Sequence, residues 1–149
     1  MGLIGRINRL ANHLTPEVAT VFSERGLTHG EFDVLATLRR SGGQCELSAG
    51  ELAATTMVTG SAITKRVDRL QLRGLVERRA SPDDGRGRTI RLTAAGRSLV
   101  DECVEAHLRN EQRLLTGLSD ADREQLAGLL RRWLIALEAD APPPGASST

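Results

Sequence analysis

Hydroxyls and a lysine stand close together in TGSAITKRVDRLQLRG, residues 59–74. Ser61, Lys65 and Asp68 fall on one face of a helix, with Thr64 and Arg69 on its flanks. Thr59, Gly60, Ser61 and Ala62 are all small enough to let a partner's backbone come close. Hydroxyls exchange hydrogen bonds with base edges, and basic side chains pair with phosphates, so this set suits a DNA major groove. The charge distribution agrees. Between Gly60 and Arg97 ten basic residues face four acidic ones, a local +6. The whole chain carries +1, so the rest of it carries −5. A basic centre between acidic flanks is the footprint of a polyanion site.

The elements that must hold these side chains are legible around them. Thr59 is an N-cap and Gly74 a left-handed stop, which bounds a helix between Gly60 and Arg73. Ile63, Val67 and Leu70 at i, i+4 and i+7 form its buried stripe. Upstream, Ser48 and Glu51 make a capping box for a second short helix, whose Leu52, Ala53 and Thr56 pack inward. Only a brief turn at Met57 and Val58 separates the two helices, which predicts a helix-turn-helix. Glycine is common at such a turn. Met57 therefore demands a turn that tolerates a bulky side chain, or else helps to fill the core. Downstream, Leu75 to Ala80 and Thr89 to Leu92 are strands, and SPDDGRGR is the tip of a hairpin. A helix-turn-helix followed by a basic hairpin is a winged helix.

The outer segments read as helices. Gly2 to about Phe22 keeps apolar residues at helical spacing, and Pro16 either kinks one helix, the favoured reading, or starts a second with Thr15 as its cap. Thr28 and Glu31 form another capping box before Phe32, Leu35, Ala36 and Leu38, and Gly42-Gly43 ends that helix. Gln44 to Leu47 supplies an edge strand for the wing. Thr93 caps a long helix to about Thr116, with Leu99, Cys103, Ala106 and Leu114 as buried positions. Gly117 breaks it and Ser119 caps the last helix. The terminal helices carry more apolar surface than one small core uses, which points to pairing with a second copy.

Composition sets outer limits. The chain has 149 residues, 40% hydrophobic and 26% charged, ordinary for a soluble globular protein, and its 2% aromatics leave the core to aliphatic side chains. It has no apolar run of membrane-spanning length and no signal-peptide core near its start, so a cytoplasmic location is expected. No nucleophile–base–orienter set and no phosphate-cradling glycine loop is present, so no enzyme activity is expected.

The run ELAATTMVTGSAITKRVDRLQLRGLVERRASPDDGRGRTIRLTAAGR, Glu51 to Arg97, resembles the MarR (multiple antibiotic resistance regulator) family of transcription factors, and the likeness spans about Leu3 to Glu138. Its ELA, R-V-D-R-L, GLVER, Asp84-Gly85-Arg86 and Ile90-Arg91-Leu92-Thr93-Ala94-Ala95-Gly96 motifs stand in the family's order and spacing. The resemblance implies a mainly α fold: a winged helix-turn-helix lobe, a small wing sheet and long N- and C-terminal dimerisation helices. It implies one domain over residues 1–140, with the DNA-binding lobe at 28–97, dimerisation helices at 1–26 and 98–140, and a disordered tail at 141–149. It further implies a homodimeric regulator, a ligand-responsive repressor, acting on a pseudo-palindromic operator. Matching positions put DNA contacts at Ser48, Thr59, Gly60, Ser61, Ala62, Thr64, Lys65, Arg69 and Arg88. Arg86 reaches a minor groove from the wing tip, held by Asp84, and Ser48 meets a phosphate at its helix N-terminus. Gly60-Ser61-Ala62 offers few side-chain donors, so phosphate and shape contacts are expected to carry much of the binding. That sparseness keeps a second reading open, a small-molecule- or protein-binding dimer without specific DNA binding.

Family members often answer to small aromatic acids or phenols, and the matching candidates here are Asn12, His13, Arg25 and His29. No cofactor is expected. His13, His29 and His107 lack metal-ligand spacing. Of the two cysteines, Cys45 lies in a loop or edge strand with a chance of exposure, and Cys103 reads as core; neither is expected to be a sensor.

Overall fold

Residues 2–81 and 87–139 are described in the computed structural model. The predicted tail, 141–149, lies outside them. Helix α1 runs Leu3–Ser23 with Pro16 inside it, so the proline neither ends the helix nor starts a second one. Gly26, at φ +67°, turns the chain into α2, His29–Arg40. The Thr28 hydroxyl accepts from the Glu31 amide at 3.1 Å, and the Glu31 carboxylate accepts from the Thr28 amide at 3.0 Å. Strand β1 is Glu46–Ser48, starting two residues later and ending one residue later than the sequence indicates. Helices α3 (Ala49–Thr56) and α4 (Gly60–Leu72) follow, then β2 (Val76–Ala80), β3 (Arg88–Leu92) and α5 (Ala94–Leu114).

The sheet order is β1-β3-β2, antiparallel throughout, with Leu47 and Arg78 both opposite Ile90. Alternation puts Ile90 and Leu92 into the core and Thr89 and Arg91 on the other face. The core joins Phe22, Val34, Leu35, Leu38, Leu52, Ile63, Val67, Leu70, Val76, Val100 and Cys103, all almost completely buried. Every side chain assigned to the α4 stripe is among them.

Gly96 shows why the step from wing to α5 requires glycine. The Thr93 hydroxyl accepts from the Gly96 amide at 3.0 Å, and the Thr93 amide donates to the Leu75 carbonyl at 3.1 Å. That double tie presses the first turn of α5 onto the end of α4. A Cβ at position 96 would stand 2.0 Å from the Leu75 oxygen.

One compact unit ends at Glu111 and a second begins at Gln112. In the second, Ser119 caps α6 (Asp120–Ala139) by accepting from the Asp122 amide at 3.2 Å, and the Arg123 guanidinium donates to the Leu115 and Leu118 carbonyls. No residue of α6 is buried, and Leu126, Leu129, Leu130, Leu134, Ile135 and Leu137 are all exposed. Among the described residues no helix is long and apolar enough to cross a membrane.

Gly96→Ala is expected to lower stability by about 1–3 kcal/mol or more, the range for forcing atoms into a packed site, measured by urea unfolding at fixed protein concentration. A second outcome concerns α3. Its capping box, in which the Ser48 amide and hydroxyl bond the Glu51 carboxylate and amide, holds the Glu51 carboxyl below its usual range. A depressed folded-state value means the box stabilises above the ordinary glutamate range and loses that contribution as pH falls through the depressed value. An NMR titration should find Glu51 low in the native protein and raised only part of the way toward its ordinary value in Ser48→Ala, because the backbone amide of residue 48 still donates to the carboxylate and only the hydroxyl is lost.

Candidate nucleic-acid interface

Because Ile63, Val67 and Leu70 are buried, Ser61, Thr64, Lys65 and Asp68 are necessarily exposed. The N-terminus of α4 stands open: a Cβ placed on Gly60 would touch nothing within 4 Å. The hydroxyls there are partly used locally. Thr59 Oγ1 accepts from the Ala62 amide at 3.3 Å and lies 3.1 Å from Ser61 Oγ, with one proton shared between them. Thr64 donates to the Gly60 carbonyl at 3.0 Å, which leaves its oxygen as an acceptor. The surface therefore offers acceptors, one hydroxyl proton and the Lys65 ammonium. That fits the scarcity of donors expected from Gly60-Ser61-Ala62.

The arginines divide into two sets. Arg73 donates to the Gly26 and Arg25 carbonyls at 2.6 and 3.2 Å, tying the end of α4 to the α1–α2 turn. Arg78 on β2 donates to Asp68 at 2.6 Å and also to Gln71, which joins the wing to the exposed side of α4. Arg69 pairs with the buried Glu31 at 3.3 Å, and Arg66 lies over Gly30. Arg97 donates to the Gln44 carbonyl, and Arg79 pairs with Glu77. Among the described residues Lys65, Arg88 and Arg91 have no ion pair. Arg86 and Asp84 lie outside the described residues.

Two further positions carry altered implications. Ser48, which the resemblance puts at a phosphate, has its amide taken by the Glu51 carboxylate at 2.7 Å, so its hydroxyl is the group left to donate. The groove beside it, about 860 Å³, is lined by Glu46, Glu51 and Glu77 as well as Arg78 and Arg79. Its three carboxylates outnumber its two guanidiniums, unlike the N-terminal end of α4 with its Lys65. Met57 does not fill the core: it is 88% exposed and adopts φ +56°.

The four effector candidates do not converge within one chain. His29 lines an apolar cleft of about 350 Å³ with Leu14, Thr15, Val18 and Ala19. His13 lines a different cleft with Arg6, Arg9 and Leu10. Asn12 is exposed, and Arg25 is half-buried and donates to the Val21 carbonyl. His107 is the residue the sequence did not single out. Its ring lies 5.5 Å from that of Phe22, as does the ring of His29, and its buried Nδ1 has no hydrogen-bond partner. Nothing in the spacing of residues 22, 29 and 107 signals that cluster.

Cys45 is buried, not exposed, with its thiol directed at the Arg39 carbonyl. Burial pushes the Cys103 thiol up, away from the reactive thiolate.

A family model described as MarR family matches residues 25–87. The chain is 35% identical over 132 residues to the HTH-type transcriptional regulator PecS of Dickeya dadantii, covering 89% of this chain and 80% of PecS. Among solved structures it is similar to a mutant of MarR from E. coli complexed with operator DNA, with TM-score 0.74 and 27% identity over 88% of this chain and 93% of that one. It is also similar to Bordetella bronchiseptica BpsR, described with regulation of its DNA binding by 6-hydroxynicotinic acid. There the TM-score is 0.67 and the identity 26%, over 86% and 98% of the two chains.

Proposed function

This chain belongs to the MarR family, and on that premise we propose that it is a sequence-specific DNA-binding transcription regulator, a cytoplasmic homodimer that represses by occupying a pseudo-palindromic operator. The observation that carries the reading is the open basic end of α4. Ser61, Thr64 and Lys65 are held outward by a stripe that cannot leave the core, beside an N-terminus with no steric cover. Residues 28–97 form the DNA-binding lobe in this reading. Lys65 and Arg88 supply phosphate contacts, Thr59 to Thr64 meet base edges, and Arg86, with Asp84 beside it, enters a minor groove. Ser48 contributes its hydroxyl. Arg69 acts through its hold on Glu31.

Dimerisation rests on residues 1–26 and 98–140. Leu3, Ile4, Leu10 and Leu14 on α1 are exposed, and α6 buries no residue of its own. Apolar surface of that extent is unfavourable in water and is relieved by a second copy. A small aromatic or phenolic effector releases the DNA, as the description of BpsR suggests by analogy. The cleft beside His29 is its candidate site, and in this reading Asn12, His13 and Arg25 contribute from elsewhere in the dimer. The effector acts only through different affinities for the DNA-bound and free shapes. Nothing in this role calls for catalysis.

The test is selection from a randomised duplex pool by the purified protein. A pseudo-palindrome should enrich, with half-site centres about 10 base pairs apart, one turn of DNA. On that duplex Arg86→Ala should cost about 1–3 kcal/mol per half-site, and Lys65→Ala should reduce the slope of affinity against salt by about one counterion per protomer. Selection without enrichment, with binding that vanishes in salt, favours instead a dimer that binds a small molecule or a protein. The local spending of the Thr59, Ser61 and Thr64 hydroxyls is the observation on that side.

A further inference from the structure

Two described residues other than glycine adopt a left-handed backbone, Cys45 and Met57. Elsewhere the chain places glycine in that conformation, at Gly26, Gly42, Gly43 and Gly74. The strain of a side chain there comes from Cβ against the following carbonyl. At Cys45 it accompanies burial of the side chain, which is 1% exposed. At Met57 the left-handed backbone closes α3, with the Met57 and Val58 amides donating to the Ala54 and Ala53 carbonyls, but glycine would serve that turn at less cost and the methionine side chain gains no burial there. The side chain is 88% exposed, while its neighbour Val58 packs against the core and Thr56 bonds back to the Leu52 carbonyl. Met57 thus carries both a strained backbone and an apolar side chain in water. It stands two residues before the Thr59 cap, at the mouth of α4, next to the hydroxyls of Thr59 and Ser61.

The cap explains the backbone but not the side chain: a methionine kept where glycine would serve, with almost all of its surface in water, points to a use outside the folded chain. We propose that Met57 is a specificity-determining residue of the DNA interface, laying its thioether side chain against the C5 methyl of a thymine in the major groove. The inference rests on the DNA-binding reading above. The chemistry fits the local surface. Hydroxyl donors are scarce at this end of α4, and the thymine methyl is the one base-edge feature that needs no donor or acceptor. Methionine is unbranched and polarisable, so it conforms to such an edge. In this position it supplies sequence information that Gly60, Ser61 and Ala62 do not.

The experiment uses the full-length dimer and the operator enriched from the randomised pool. Met57→Gly removes strain and side chain together, so it should melt a few degrees higher at equal protein concentration. It should also bind the operator roughly tenfold to a hundredfold more weakly, the scale of losing one apolar base contact in each of the two half-sites, with an unchanged salt slope. Met57→Leu, which keeps apolar reach, should retain most of the affinity. Replacing thymines by uracil one at a time deletes single methyls. Wild type should lose roughly threefold to tenfold at one position in each half-site, about the square root of the loss in Met57→Gly, and Met57→Gly should lose nothing further there. Equal affinity of Met57→Gly and wild type, or the same uracil penalty in both, would overturn the proposal while leaving the DNA-binding reading intact. Failure of wild type to enrich any operator removes both.

Discussion

A helix that buries three residues on one side has no choice about what it shows on the other. Ile63, Val67 and Leu70 are completely or almost completely buried, and each is worth about 1.5–3 kcal/mol relative to exposure. Rolling α4 by a quarter turn would bring part of that stripe into water at a cost of several kcal/mol. The orientation of Ser61, Thr64 and Lys65 is therefore a consequence of core packing and is settled before any ligand arrives. Two arginines fix the same helix from outside. Arg73 anchors its end to the carbonyls of the α1–α2 turn, and Arg78 joins its exposed side to the wing. Gly96 completes the frame by letting α5 start against the carbonyl of Leu75.

The charge of the central segment is best understood through this frame. Arginine's planar fork holds several acceptors at once, which suits it to joining elements as well as to meeting phosphates. Here Arg73 and Arg78 each take two acceptors, and Arg69 shares the carboxylate that also caps α2. A large part of the +6 is thus mortar between elements. Asp68 would otherwise put a lone carboxylate on the exposed face of α4, and Arg78 neutralises it there. What stays free for a polyanion is concentrated at Lys65 and on the wing at Arg88 and Arg91. Binding of that kind depends on a few cations placed by a rigid scaffold more than on net charge.

How much was legible in advance follows a physical division. The caps at Thr28, Ser48, Thr59, Thr93 and Ser119 all appear where the sequence puts them, because a cap is a bond to an amide three residues on and spacing encodes it directly. The buried stripe of α4 was legible for the same reason, since helical periodicity is a local property. So were the wing strands, to within a residue, from turn chemistry and alternation. Pro16 shows the limit even of local rules: helical spacing on both sides carries α1 through it.

The sequence by itself determined the element order, the caps, the face that α4 buries and the family. Each depends on neighbours within about a turn of helix or on the order of motifs along the chain. Only the tertiary structure decided which arginines are spent, since Arg73 meets a carbonyl 47 residues away and Arg78 a carboxylate ten away. It also decided that Cys45 is buried and Met57 exposed, that the Ser48 amide is already taken, and that the rings of His29 and His107 both lie 5.5 Å from that of Phe22. The reason is that side-chain partnering and exposure depend on where packed elements meet. Those meeting points are set by the joint filling of one core, which no local spacing records.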